Sequence, residues 1–364
     1  MVGSLLGRAS GRGHGHGQLA VAAATAMARL DERLQDHPLL PAFLFRARLL
    51  AVQEQAAVDG YHIDPWRLMA VLEGLPLRQP VDPADRADLH DATWCAYDLY
   101  AWLAFPDPPR GRAIAAAQTV VREADAGQGT PLAAADGFYR WLWTLNRERA
   151  PMRAALVAYW QHAGLTRIAL PLTGSAALRP EAPQERGAWV ACFLSALRDE
   201  AEALALLLSR LEYGWRTARH AARGRRSTSR ATAVVDLMAV RPLISATWVA
   251  GALDMSINAA LQILERLVRN GVAIEATHRS ARRLFGLAGL HGIQDVVARP
   301  AGGAPLVATK DGEVAPAMPR FERSLAEPED LDYTELDAAM KAADDAVRLF
   351  LARVDAIATI SVRD

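Results

Sequence analysis

Residues 241–271 read RPLISATWVAGALDMSINAALQILERLVRNG, and this stretch decides the fold of the C-terminal part of the chain. It begins with Arg241-Pro242, which stops a helix over 231–240 because proline disfavours helix in the residue before it. The stretch then predicts two more helices, over 245–253 and 257–270, joined by a short turn at Asp254-Met255. Three helices with this spacing are typical of a helix-turn-helix.

The third predicted helix has two faces of different chemistry. Ser256 is its expected N-cap, and Gly271 ends it. Apolar side chains form one stripe at steps of 4, 3 and 4 residues: Ile257, Leu261, Leu264 and Val268. Polar side chains form another at steps of 4, 4 and 3 residues: Asn258, Gln262, Arg266 and Arg269. We expect the apolar stripe to face the other two helices. The polar stripe is expected to face the DNA major groove, where Asn and Gln pair with adenine and Arg pairs with guanine or phosphate.

A β-hairpin is expected directly after this helix. Residues 272–277 alternate like a strand, 278–281 form a polar tip, and 282–287 return as a second strand. Such a hairpin is the wing of a winged helix-turn-helix. Its arginines are expected to reach backbone phosphates or the minor groove: Arg279, Arg282 and Arg283.

The charge of the chain is segregated along its length. The 41 basic and 41 acidic residues give a formal net charge of 0, which by itself argues against a nucleic-acid partner. However, residues 1–209 carry −2, residues 210–299 carry +8 and residues 300–364 carry −6. The excess coincides with the predicted helix-turn-helix and with a basic joint over 219–230 that contains Arg225 and Arg226. Double-stranded DNA is therefore the expected partner.

The rest of the sequence predicts a mainly α protein. An alanine- and leucine-rich segment over 19–218 is expected to be an all-helical domain with an aromatic core, since eight of the nine Trp precede residue 216. Its helices are expected over 19–34, 41–58, 65–73, 82–104, 112–124, 131–145, 151–163 and 184–222, with an irregular segment over 166–179. The remaining segments are a disordered tail (1–18), the basic joint (219–230), the winged helix (231–299), a linker (300–330) and an acidic amphipathic helix (331–364).

The sequence shows no pattern of a disulfide framework, a metal site, a signal peptide or a membrane span. Cys95 and Cys192 make no disulfide framework, and neither they nor the nine His have the spacing of a metal site, so no metal or cofactor is expected. The chain has no signal-peptide pattern and no apolar run long enough for a membrane span. A soluble, cytoplasmic protein without membrane contacts is the expectation.

The stretch 241–271 and the hairpin after it resemble the C-terminal winged helix of Fic-family proteins. Residues 28–34 (ARLDERL), 45–60 (from FRAR to DG) and 165–171 (LTRIALP) are similar to the helical part of an alphaproteobacterial, rhizobial and often plasmid-encoded family. Members of that family join a helical domain of unknown function to a helix-turn-helix DNA-binding domain. The resemblance covers roughly 19–290. It implies a Fic-like helical domain followed by a DNA-binding winged helix.

The catalytic loop of Fic enzymes is missing from this sequence. That loop reads His-Pro-Phe-x-x-Gly-Asn-Gly-Arg and transfers a nucleotide monophosphate, with the His as base. Here His37-Pro38 is followed by no Gly or Asn over 39–45, and 145–153 contain neither His nor Gly. In the inhibitory motif expected at 55–60, only Asp59-Gly60 remain. We therefore expect no catalytic residues and no enzyme activity.

The expected function is that of a sequence-specific DNA-binding protein, a transcriptional regulator. A homodimer on a symmetric site is expected, because one winged helix reads few base pairs. The helical domain would serve as a sensor or a dimerisation scaffold, with a small-molecule effector pocket near His162 and Arg167. Two alternatives stay open: a scaffold whose winged helix binds protein, and a divergent Fic-type AMP transferase.

Overall fold

Helices make up most of the described chain, which confirms the mainly α fold class. The structure is a computed structural model; it describes residues 4–125, 130–223, 230–277 and 283–298, with side chains from residue 15 onward. The helices are α1 (Ser4–Leu34), α2 (Leu40–Val58), α3 (Pro65–Leu72), α4 (Pro83–Ala104), α5 (Pro108–Asp125), α6 (Pro131–Tyr139), α7 (Arg149–His162), α8 (Arg186–Ala222), α9 (Ala231–Val240), α10 (Ala246–Ala252), α11 (Ile257–Arg269) and α12 (Ile293–Val296). The strands are β1 (Ile244–Ser245), β2 (Ala273–Glu275) and β3 (Leu284–Leu287).

Capping residues followed by proline fix the starts of three helices. The Asp64 carboxylate accepts from the Trp66 N–H at 2.9 Å at the start of α3. Asp82 and Thr130 cap α4 and α6 in the same way. Each cap satisfies a backbone donor that the first turn leaves unpaired, and the proline that follows has no such donor. These local signals explain why the predicted starts of α3, α4 and α6 lie within one residue of the observed ones.

The structure differs from the sequence expectation at three helix ends. Helix α1 begins at Ser4 and so includes most of the segment 1–18 assigned to a disordered tail; once a helix has formed, adding residues to it needs no new nucleation. Helix α5 begins at Pro108 rather than at 112, because proline suits a first helical turn. The helix expected over 131–145 becomes π-helical at Arg140–Thr144, where the Trp141 indole N–H donates to the Glu148 carbonyl.

The first hydrophobic core lies among α1, α2 and α5–α8 and is aromatic at its centre. Trp160 and Trp189 are fully buried, and Trp189 stacks on Phe193 with 5.2 Å between ring centroids. Both indole N–H groups donate to carbonyls, of Leu172 at 2.8 Å and of Ala177 at 2.9 Å. The aromatic core expected from the tryptophan distribution is confirmed, with its polar atoms paired.

Residues 230–298, called here the C-terminal module, contain α9–α12 and the three strands. The sheet is antiparallel with the order β1-β3-β2; Phe285 of β3 lies between Ile244 of β1 and Glu275 of β2. The hairpin of β2 and β3 lies where the sequence predicted it. The two-residue strand β1 was not predicted, because a strand so short has no periodicity of its own.

The C-terminal module shares a second core with α2–α4. Leu68 and Met69 of α3 are buried together with Ile293 and Val297. The chain near residue 77 also pairs with the module through its backbone: the Arg78 N–H donates to the Val296 carbonyl at 2.8 Å. The contacts accordingly divide the chain only at Pro300, with residues 1–299 in one unit. The joint expected at 219–230 does not separate two units in this division, because helices before it and the C-terminal module after it share the second core.

None of the helices in the described ranges is long and apolar enough to cross a membrane.

Candidate nucleic-acid interface

Helix α11 has a local basis for each of its ends. The Ser256 hydroxyl accepts from the Ala259 N–H at 3.2 Å and so caps the first turn, as predicted. Gly271 follows the helix with a φ of +70°, a left-handed conformation that glycine adopts without strain. The Ser256 hydroxyl therefore binds the backbone of its own helix.

The buried face of α11 differs slightly from the predicted apolar stripe. Ala260, Leu264 and Leu267 are buried, whereas Leu261 and Val268 are half-buried. Ile257 was predicted to face the other helices, but its side chain is 52% exposed. The spacing of residues predicts which side of a helix faces the core, but not how much of the helix length the core covers. Ile257 lies in the first turn of α11, where its side chain is left exposed.

The opposite face of α11 is polar and open to solvent. Its exposed residues are those predicted from the spacing: Asn258, Gln262, Arg266 and Arg269. Arg266 and Arg269 have no carboxylate partner within the described ranges, so their guanidinium groups are free to bind an anion. A row of amide and guanidinium groups on the outer side of a firmly packed helix can present donors and acceptors to a flat, polar partner.

Arg283 has a different environment from the one expected. Its guanidinium donates to the Glu265 carboxylate at 2.6 Å and to the Glu275 carboxylate at 2.7 Å, and it lies over the Phe285 ring. The hydrogen bonds that Arg283 donates to these carboxylates, above all the one to Glu275, raise the pKa of Arg283. This side chain was expected to reach backbone phosphates or the minor groove of DNA; in the structure it neutralises two acidic groups, on α11 and β2. The pairing was missed because the two glutamates come from α11 and β2.

The turn between α10 and α11 is held by an arginine from the start of the module. The Arg230 guanidinium donates to the carbonyls of Leu253 and Asp254. Asp254 has a φ of +48°, which is unusual for a residue other than glycine. Arg230 thus binds the turn that joins α10 to α11, the helix with the polar face.

A buried carboxylate connects the module to the long helix α8. Asp236 of α9 is only 3% exposed. It accepts from the Trp215 indole N–H at 2.8 Å and from Arg219 at 2.9 Å, and the Arg219 guanidinium also lies over the Trp215 ring. Hydrogen bonds to charged groups are stronger than those between neutral groups. No local sequence pattern predicts this network, because Arg219 and Trp215 lie 17 and 21 residues before Asp236.

Four of the predicted site residues lie outside the described residues: Arg225 and Arg226 of the joint, and Arg279 and Arg282 of the hairpin.

The irregular segment between α7 and α8 was expected to form an effector pocket, but its main polar groups are engaged. The Arg167 guanidinium pairs with Asp31 at 2.8 Å and with Glu32 at 2.6 Å. Further along, the backbone N–H groups of Thr173, Gly174 and Ser175 all donate to the Glu200 carboxylate, at 2.7 to 2.9 Å. Three consecutive N–H groups make an anion-binding nest, and a side chain of the protein itself fills this one.

The Asp59-Gly60 pair, which resembles part of the Fic inhibitory motif, serves the fold in this structure. The Asp59 carboxylate accepts from Arg149 and Arg153, both at 2.8 Å. Arg153 is 1% exposed, and burial lowers its pKa. The carboxylate is thus the counter-ion of a buried arginine on α7.

Two other kinds of site, a metal centre and a ligand cavity, have little support in the described residues. The described residues contain no group of three or more His, Cys, Asp or Glu that could hold a metal ion. A shallow cavity of about 330 Å³ is lined by Gln53, Glu54, Ala57, His62, Ile63 and Asp64. Its two carboxylates are engaged, because Glu54 pairs with Arg179 at 2.8 Å and Asp64 caps α3.

The chain was compared with protein-family models and with curated proteins, and neither comparison found a match.

Proposed function

We propose that the protein binds double-stranded DNA sequence-specifically, as a transcriptional regulator, and that residues 231–299 form a winged helix-turn-helix. The element order supports this proposal. Three helices, α9 to α11, precede a β-hairpin, and a short strand between α9 and α10 completes a three-stranded sheet. A helix-turn-helix presents its last helix to the major groove, and in this chain α11 is that helix.

The observation that carries the proposal is the free polar face of α11. Asn258, Gln262 and Arg266 are exposed, while Leu264 and Leu267 anchor the same helix in the core. Amide side chains pair bidentately with adenine, and arginine pairs with guanine. Ile257 adds an exposed apolar group at the N-terminal end of α11, the end that contacts bases in this class. An apolar group there suits the methyl group of thymine.

The segment 19–218 then acts as a sensor or a dimerisation scaffold. The Asp236 network supports this role, because it connects α8, which runs through the first core, directly to α9. Two copies on a symmetric site would double the length of DNA that is read. A two-fold symmetric consensus and a dimeric mass in solution are expected.

Selection from a random duplex pool, followed by affinity measurements at several salt concentrations, tests the proposal. Each bidentate base contact contributes about 1–3 kcal/mol of discrimination. The triple variant Asn258→Ala, Gln262→Ala, Arg266→Ala should therefore lose at least about a hundredfold in affinity for the selected sequence, and much less for random duplex. Arg112→Ala removes an exposed arginine of α5 and is the control. The proposal is wrong if the full-length protein selects no sequence and has no affinity for duplex at low salt.

A further inference from the structure

The last three turns of α8 carry an exposed basic stripe that the α11 interface does not include. Tyr213, Arg216, His220 and Arg223 follow one another at steps of 3, 4 and 3 residues, and all four are exposed. This spacing places Tyr213, Arg216 and His220 on one face of α8, and Arg223 is the C-cap residue directly after the helix. We call these four residues the α8 stripe. The Tyr213 side chain is 74% exposed, which is unusual for a large aromatic residue without a partner to cover it.

The rotation of the α8 stripe about the helix axis is fixed. Trp215 and Arg219 lie on the adjacent face and hold Asp236 of α9. Since these two residues are tied to the module, the stripe residues beside them must point away from that contact. The stripe therefore lies on a side of α8 that is open to solvent, while the adjacent side of the helix contacts the module.

The surroundings of the α8 stripe are strongly basic. Residues 213–235 contain six arginines and one histidine but no acidic residue. The nearest carboxylate along the helix is Glu212, which pairs with His37 at 3.1 Å and with Arg33 at 3.4 Å. It approaches Arg216 only to 4.0 Å, and the Arg216 side chain remains 74% exposed. Positive charge on this face is thus largely uncompensated.

We propose that the α8 stripe is a second DNA-contact surface, which binds backbone phosphates flanking the sequence that α11 reads. This inference rests on the proposed function. Arginine and tyrosine are common donors to phosphate oxygens, and such contacts position a protein on the duplex without reading its sequence. The charge of the stripe is complementary to a phosphate backbone. The helix that carries the stripe is joined through Asp236 to the module that carries α11.

The salt dependence of DNA binding by the full chain tests this inference. Each phosphate contact releases counterions and adds about 0.9 to the slope of log K against log salt. Arg216→Ala with Arg223→Ala should therefore lower the slope by about 2. Affinity should fall equally for the selected sequence and for random duplex, so discrimination is kept. Arg112→Ala with Arg122→Ala removes the same charge from the exposed side of α5 and should change neither quantity.

Arginines near a helix C-terminus also stabilise the helix through its dipole, so unfolding of each variant is measured in parallel. The lysine pair Arg216→Lys, Arg223→Lys keeps both charges and should restore the slope. The inference is overturned if the alanine pair binds like its α5 control while the α11 triple variant still loses discrimination; the proposed function then stands. It is also overturned if the alanine pair changes sequence preference. Absence of duplex binding by the wild-type chain would remove both proposals.

Discussion

Arg283 pairs with two carboxylates beside the polar face of α11, so it can serve the proposed DNA interface without contacting DNA itself. Its two carboxylate partners lie within 2.7 Å of its guanidinium. Glu265 belongs to α11 and its side chain is 42% exposed, so without Arg283 a negative charge would stand beside the polar face. Neutralising that charge would favour the binding of an anion such as the proposed DNA partner, even without a direct contact from Arg283.

Single and double substitutions at Arg283 and Glu265 distinguish neutralisation of Glu265 by Arg283 from a direct contact between Arg283 and phosphate. Arg283→Gln should weaken DNA binding several-fold, about 1 kcal/mol, since surface charge pairs contribute on this order. The double variant Arg283→Gln, Glu265→Gln removes both the cation and the exposed carboxylate, and should recover most of that affinity. Binding is measured by fluorescence anisotropy at fixed salt. If Arg283 contacts phosphate directly, the double variant will bind as weakly as the single one.

Helices α8 and α9 meet at one buried carboxylate, and the strength of this contact can be measured. Asp236→Asn removes the charge that Arg219 and Trp215 bind. Hydrogen bonds to charged groups contribute about 1.5–3 kcal/mol, so the free energy of unfolding should fall by about 2 kcal/mol. Urea unfolding followed by circular dichroism measures it.

Asp199→Asn is the matched control for the α8–α9 contact. Asp199 lies on the same long helix and pairs with Arg198, but its side chain is 62% exposed. Exposed pairs contribute little, so this substitution should change stability by less than about 1 kcal/mol. Equal effects of the two substitutions would show that Asp236 has no special part in joining α8 to α9.

Element boundaries were largely predictable because their signals are local. Arg241-Pro242 ends α9 at Val240, and Ser256 with Gly271 brackets α11, as the sequence indicated. The polar face of α11 was predicted for the same reason, since steps of 3 and 4 residues determine a helix face. The pairing of Arg283 and the burial of Asp236 were not predictable, because each depends on residues brought together from separate elements.

The shared core between α2–α4 and the C-terminal module was the largest feature that the sequence did not reveal. Trp66 of α3 packs against Gly292, where an added Cβ atom would lie 2.4 Å from the indole. Neither residue has a local pattern that predicts the other. A helix-turn-helix preceded by a basic, glycine- and serine-containing joint suggested an independent domain, whereas its apolar surface packs against α2–α4, which lie far earlier in the chain.

Because α2–α4 and the C-terminal module share this core, a destabilising substitution in α3 should also destabilise the module. Leu68 is fully buried, and Leu68→Ala should cost about 2–5 kcal/mol through lost burial and the cavity left behind. Hydrogen exchange measured by mass spectrometry should then show lower protection not only in α3 but also in peptides covering 284–297. Leu50→Ala, at a 40% exposed site on α2, should leave both regions protected. Loss of protection confined to α3 would mean that the module is stable without its neighbours, as an independent domain would be. Loss in both regions would mean that the packing of the module that carries α11 depends on the integrity of α3.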